Sequence, residues 1–510
     1  MHGFEDQPTS LPDDPNDKRP WYLTLTKYHW FVLLVAALGW LFDCLDQQLF
    51  VLARPAVMAS LVKPLTPEET EKETTIRRSN AGNIATSVFL AGWALGGVFF
   101  GVLGDRIGRA KTMMITILLY SLFTGLSALS VGVYDFALYR FLTGLGVGGE
   151  FAVGIALVAE VMPARARPYA LGMLQALSAI GNVTAAFINL GLGVAEEAGM
   201  PYSPWRIMFC IGALPALLAL VIRGRLKEPE QWQKANTSSV VSSKSGSYAE
   251  LFGHPVWRKH ALLGLLLACS GVIGLWAVGF FAPDLMRVVQ RPEITRRVYE
   301  TKIAEAKAAG ETAKVADLEL LMTAATDTSS NLEITPALKP LKEEADKSIS
   351  GQLAKWGSYT SLMINFGAFF GMFGFGYVAQ IIGRRPTFVI AFIAAFLSTA
   401  AVFAYLKDFN QLFLLAPLMG FCQLSLFAGY AIYFPELFPT HLRSTGTSFC
   451  YNVGRFLAAG GPLVKSYLEG LFVDTSDPLR YAGVAMCTVF LVGLLAIPFL
   501  PETKGKPLPE

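Results

Sequence analysis

Charge is scarce in this chain. Only 16% of its 510 residues are Asp, Glu, Lys or Arg, against about 25% in soluble domains. Hydrophobic residues make up 53%, and the mean hydropathy is +0.44, so water is not the main solvent. The net charge is only +3 and no basic cluster interleaves with aromatics, which excludes nucleic acid as a partner. Cysteine is sparse too. Cys44, Cys210, Cys269, Cys422, Cys450 and Cys487 all lie in apolar runs, so no disulfide framework is implied. With no Cys-x-x-Cys pair and no histidine cluster, neither a metal nor another cofactor is expected. No nucleophile–base arrangement or phosphate loop stands out, which argues against an enzyme. The first twenty residues lack a basic leader and a small-residue cleavage site, so the first apolar run is expected to be retained as an anchor.

Long apolar runs are what the chain has instead. A membrane-spanning helix needs about 20 mostly apolar residues. Twelve such runs occur, near 29–52, 81–103, 111–131, 134–160, 168–193 and 205–223, then 260–288, 355–381, 386–406, 410–434, 445–468 and 481–500. Their pattern predicts an all-α membrane protein with twelve transmembrane helices. Short loops carrying Arg106, Arg109, Lys111, Arg165, Arg167, Arg384, Arg385 and Arg443 face the cytoplasm by the positive-inside rule, which puts both termini there. Arg77 and Arg78, in a short outer segment, run against that rule. Residues 1–28 and 501–510 are then cytoplasmic tails. Residues 224–258, with their serine-rich stretch, read as a flexible cytoplasmic linker between halves at 29–223 and 259–500. The segment 291–350, rich in Ala, Glu and Lys, reads as a charged helical excursion on the outer side, either a docking element or a tolerated insert.

The two halves repeat. "GVLGDRIGR" (101–109) answers "GYVAQIIGR" (376–384), "EVMPARAR" (160–167) answers "ELFPTHLR" (436–443), and Glu228 in "KEPEQW" answers Glu502 in "PETKG". The offsets are nearly constant, which describes two parallel, pseudo-symmetric six-helix repeats. At these residues the chain resembles the major facilitator superfamily. "GVLGDRIGRAK" is similar to that superfamily's loop motif, and "RFLTGLGVGGE" (140–150) to its fourth-helix motif. "AEVMP" with Arg167, "PELFP" with Arg443 and "PETKG" resemble the sugar-porter and organic-ion branches. The resemblance implies that Asp105, Arg106 and Arg109, with Glu160, Arg167, Arg384, Glu436 and Arg443, gate the cytoplasmic side. Gln380 and Ile381 replace the Asp and Arg of the second loop motif, so that side is expected to lack a full charge latch.

Ionisable groups inside the spans are the functional signal. A carboxylate at a membrane helix centre costs about 2.5–3.5 kcal/mol on insertion scales, yet the first helix carries Asp43 and Asp46. Three residues apart, they share a face that must meet the bundle interior or a wet cavity. Their mutual repulsion favours holding a proton, and D-x-x-D resembles the first helix of aromatic-acid:proton symporters. Glu150, in a stretch similar to sialate:proton symporters, is a second proton candidate. Arg140 on the same helix is expected to pair with Asp43 or Asp46 in a structural role. Arg455 has no acid in its own span, so it either clamps a substrate carboxylate bidentately or pairs with a first-half acid or a backbone carbonyl. Gln175, Asn182, Asn365, Gln423, Tyr430 and Asn452, with Trp276 and Phe280, could line a midplane cavity or simply pack.

The expected protein is a secondary transporter of the plasma (inner) membrane, working as a monomer in the lipid bilayer. It would move a small organic acid anion together with protons. A neutral sugar porter and a membrane sensor built on a transporter fold are the alternatives. Deletion of 291–350 separates the sensor from the transporter.

Overall fold

The computed structural model describes residues 20–63, 71–197, 201–237, 246–279, 282–326, 335, 338–458, 464, 467–468, 470–472, 475 and 477–509. Regular structure among them is helical throughout. The first half is built from α1 (Lys27–Leu61), α2 (Glu71–Ile107), α3 (Arg109–Ser127), α4 (Val133–Val161), α5 (Arg167–Glu197) and a broken sixth span, α6 (Pro204–Ile211) and α7 (Ala216–Arg225). Two short helices follow, α8 (Glu230–Thr237) and α9 (Tyr248–Gly253). The second half comprises α10 (Pro255–Ile273), α11 (Ala282–Ala308), α12 (Thr312–Thr326), α13 (Leu338–Ile382), α14 (Arg384–Tyr405), α15 (Phe409–Leu437), α16 (Arg443–Ala458), α17 (Pro478–Met486) and α18 (Val489–Ala496). Ten helices among the described residues are long and apolar enough to cross a membrane. Of the expected runs, the sixth breaks near Pro215, where proline withholds a backbone donor. The eleventh is described as far as Ala458, with part of its remainder outside the described residues.

Large apolar side chains point outward all along these helices. Leu34, Phe99, Leu122, Phe187, Phe366, Leu414 and Leu495 are each more than half exposed, a surface stable only against hydrocarbon. Inside each half, glycines let the second and fourth helices touch backbone to backbone. Gly144 and Gly148 of α4 lie on the Phe89 and Trp93 carbonyls of α2, and Gly367 and Gly371 of α13 lie on the Pro417 and Phe421 carbonyls of α15. Small residues permit such close approach in membranes. Gly108 (φ 113°) and Gly383 (φ 99°) turn the chain between paired helices in the left-handed region, a conformation that disfavours a Cβ.

The segment 291–350, expected as a charged helical excursion, is helical over its described residues and continuous with the helices on either side. α11 runs through Pro292 to Ala308, and α13 starts at Leu338 and continues across the bilayer without a break. α11 and the extended start of the spanning helix α13 therefore rise from the bundle with α12 between them in the chain. Ile294, Val298, Tyr299, Leu318, Leu321 and Ile349 give this cap a core of its own. The 224–258 linker is likewise partly folded, because Trp232 is buried and its Nε1 donates to the Asp105 carbonyl at 2.8 Å. Most of the serine-rich stretch lies outside the described residues.

Candidate functional site

The repeat motifs assemble at the end of the bundle opposite the cap. In the first half, the Arg109 guanidinium grips Glu160 twice, at 2.9 and 3.1 Å, and donates to the Gly104 carbonyl at 2.7 Å. In the second, Arg384 grips Glu436 at the same two distances and donates to the Ala379 carbonyl at 3.1 Å. Glu228 accepts the free N–H groups of Arg109, Ala110 and Lys111 at the start of α3. Glu502 does the same for Arg384 and Arg385 at the start of α14. Carboxylates suit helix N-termini, where backbone donors lack partners and the dipole is positive. Burial raises the Glu502 pKa, but these backbone donors and that of Lys504 outweigh it and hold the carboxyl below the ordinary glutamate value.

Bonds across the two halves close this end. Asp105 of α2 accepts from the Ser444 and Thr445 N–H groups at 3.1 and 2.8 Å and from the Thr445 hydroxyl at 2.6 Å, capping α16 of the other half. Arg109 pairs with Asp105 at 3.0 Å and reaches across to the Thr440 carbonyl at 2.7 Å. Arg443 returns the crossing by pairing with Glu160 at 2.7 Å. Gln380, which stands in the place of Asp105, accepts only within its own half, from Arg384 at 3.2 Å. The second half thus has its arginine–glutamate pair and lacks the crossing carboxylate. Arg167 braces the α4–α5 turn through the Ala159 carbonyl, and Arg106 is exposed outside the buried cluster.

At mid-depth the acids separate. The two α1 carboxylates were expected to form one repelling pair, but a step of three residues leaves them about 60° apart around the helix. Asp46 accepts from the Thr124 hydroxyl at 2.8 Å and pairs with Arg140 at 3.4 Å. Arg140 also bonds Ser127 and Thr143, and Phe209 lies 4.8 Å from its guanidinium. Asp43 lies one turn beyond Gly39, on which Glu150 of α4 rests, so these two carboxyls are neighbours. Glu150 lies against Gly39, where a methyl would collide with Oε1. No other donor among the described residues reaches either carboxyl, and both groups are buried.

Arg455 stands where the halves meet. Its guanidinium lies 4.1 Å from the Trp93 ring of α2 and 4.4 Å from the Tyr451 ring of α16, a cation held between two π faces. Nη1 donates to Asn452 Oδ1 at 2.7 Å and to the Tyr451 carbonyl at 3.2 Å, while Nε has no acceptor among the described residues. No carboxylate among the described residues pairs with it. Cys44, next to Asp43 on α1, is within electrostatic reach of Asp43, Glu150 and Arg455 alike. Gln175 lies beside the Tyr451 side chain, and its Oε1 has no donor among the described residues. Trp276 meets Trp93 edge to face at 6.1 Å.

Other expected lining residues are engaged between helices. Asn182 donates to Asn365 at 2.9 Å across the halves. Gln423 donates to the Gly274 carbonyl at 2.8 Å, at the start of a π-helical turn (Gly274–Val278), and Tyr430 donates to the Leu267 carbonyl at 2.9 Å. Phe280 lies outside the described residues. Sequence reasoning missed Trp93 and Tyr451. Tyr451 could have been found from its place four residues before Arg455 on one helix face.

The family model described as Major Facilitator Superfamily matches residues 36–291 and 320–510. The chain belongs to the Major Facilitator Superfamily. The unmatched stretch falls in the cap. Similar chains include the cis,cis-muconate transport protein of Acinetobacter baylyi, 26% identical over 425 residues, 82% of this chain and 85% of that one. The sialic acid transporter NanX of Escherichia coli is 26% identical over 462 residues, 89% and 90% of the two chains. Among solved structures, the proton:xylose symporter XylE superposes with a TM-score of 0.67 at 16% identity, over 94% of this chain and 98% of that one. That likeness is one of fold, in two six-helix halves. This Major Facilitator Superfamily member is a multi-pass membrane transporter of small organic solutes and not an enzyme.

Proposed function

We propose that the protein imports a small organic carboxylate together with protons, by alternate opening of its two halves. The observation that carries this reading is the buried Arg455 guanidinium, left without a counter-ion among the described residues, in a bundle whose Asp43 and Glu150 carboxyls also lack donors there. A buried charge without a partner is costly, and a transported carboxylate would supply the missing one, bidentately. Two adjacent carboxylates repel, whereas one proton shared between Asp43 and Glu150 turns repulsion into a hydrogen bond. Protonation of Asp46 would release Arg140 and loosen α1 from α4, which makes Asp46 a second coupling group. The relatives' names, muconate and sialic acid transport, support an organic acid as cargo. A neutral sugar would need no buried cation.

In this reading Asp105, Arg109, Glu160 and Arg443 seal the cytoplasmic end, with both termini on that side of the inner membrane. Arg384 and Glu436 hold the second half rigid, and a monomer suffices. The test is uptake into proteoliposomes under an imposed pH gradient, screened against aromatic acids, sugar acids, sialic acid and neutral sugars. Acid-driven accumulation of a carboxylate is expected, with its loss in Arg455→Ala. Accumulation of a neutral sugar alone, or unchanged carboxylate KM in Arg455→Ala, would reject the reading.

A further inference from the structure

We infer that Asn452 is a positioning residue that couples the anion site on Arg455 to the carboxyl pair on the other half, and does not itself hold substrate. The inference rests on the carboxylate reading of Arg455. It starts from the two ends of one side-chain amide. Asn452 Oδ1 accepts from Arg455 Nη1 at 2.7 Å. Nδ2 donates to the Gly148 carbonyl of α4 at 3.3 Å and to Ser448 Oγ at 3.0 Å. Ser448 in turn donates to the Gly97 carbonyl of α2. The amide therefore touches the substrate cation at one end and the opposite half at the other, two residues from Glu150.

Asn452 is fully buried, and a methyl on Gly97 would collide with its side chain, so it packs directly on α2 of the other half. A parallel aromatic route follows the same course. Tyr451, under the guanidinium, packs on Phe151 at 4.1 Å, and Phe151 packs on Trp40 of α1 at 4.2 Å. Phe151 is the residue after Glu150.

With no anion bound, Arg455 polarises the Asn452 amide and strengthens its bond to Gly148. Hydrogen bonds in series reinforce one another. A bound carboxylate shares the guanidinium, weakens that grip and slackens the seam beside Glu150. Proton and substrate sites then influence each other reciprocally, as any coupling between two ligands must.

The experiment compares Asn452→Ala, Asn452→Asp and Arg455→Ala in proteoliposomes. It uses benzoate and cis,cis-muconate as probes, or whichever carboxylate the uptake screen identifies. Two quantities are read: counterflow exchange, which needs no net proton movement, and the pH dependence of KM. In the parent protein, KM should change about tenfold across the proton titration, within the 5–150-fold range of typical couplings. Asn452→Ala should flatten that pH dependence and lose accumulation while counterflow persists. Asn452→Asp, of the same size and shape, should neutralise Arg455 internally and raise the carboxylate KM about tenfold, as one charge-assisted bond is worth. A raised KM in Asn452→Ala at all pH values would make Asn452 a substrate ligand and overturn the inference. Parental pH dependence in Asn452→Ala would also overturn it. If Asn452→Ala fails to reconstitute, an unchanged KM in Asn452→Asp overturns it instead. An unchanged KM in Arg455→Ala would bring down the carboxylate reading itself, whereas failure in the Asn452 variants alone would leave that reading standing.

Discussion

Single residues in this protein differ less in type than in who answers them. Asp43 and Asp46 sit three residues apart on one helix, equally buried. Asp46 has a guanidinium and a hydroxyl; Asp43, among the described residues, has another carboxyl as its neighbour and no donor. Their neutral variants should therefore part company. Asp46→Asn orphans Arg140, and removing one partner of a buried pair costs about 3–5 kcal/mol, so its thermal unfolding temperature in detergent should fall. Asp43→Asn removes a repulsion and should melt at or above the parental temperature. Both should lose pH-driven accumulation. Equal melting of the two variants would show that the Arg140 pairing does not hold Asp46 as described. The buried cations divide similarly: Arg140 has Asp46, hydroxyls and phenyl rings around it, and Arg455 keeps an edge without an acceptor among the described residues.

Elements pair up by the internal repeat, down to individual hydrogen bonds. The Arg109–Glu160 and Arg384–Glu436 clamps coincide in both distances, and Glu228 and Glu502 cap equivalent helices. The caps make a pH prediction. Because the Glu502 pKa is lowered in the folded protein, its contribution is fully present above the ordinary glutamate value of about 4.3 and is lost as pH falls through the lowered value. The 501–509 tail should therefore stay docked at neutral pH and release in acid below that value, seen as increased mobility of a spin label placed on Lys506. In Glu502→Gln the label should be mobile already at neutral pH, and mobility of the parent's label that does not change with acid would refute the assignment. The repeat itself was legible as matching letters at a constant offset. The one-sidedness of the crossing latch was legible too, as Gln380 in the place of Asp105. What Asp105 caps was not, since α16 begins more than 300 residues later in the chain.

At the scale of the whole molecule, two halves meet along seams of small residues and one buried charge cluster, and a separate cap rises from α11 and α13. The cap's charges answer one another: Lys302 pairs with Glu344 at 2.6 Å and Arg296 with Glu293 at 2.6 Å. Its core is distinct from that of the bundle, though Trp356 packs against both. Replacing 294–349 with a short glycine–serine bridge should leave proteoliposome uptake intact, since solvated insertions are tolerated where the elements they connect are packed independently. Loss of transport with a normally folded bundle would make the cap part of the machinery.

Sequence alone determined that the chain lives in lipid, in two repeated halves, with acids and a cation inside its apolar spans. That follows because hydrophobicity, period and offset are local properties of the chain. It could not decide which acid faces which. Asp43 and Asp46 share a helix face in one dimension, and only the packing of α3 and α4 against α1 gives one of them Arg140 and Thr124 and the other Glu150. The place of Arg455 between Trp93 and Tyr451 was also a tertiary outcome, because its two rings come from different halves and meet only when the halves close.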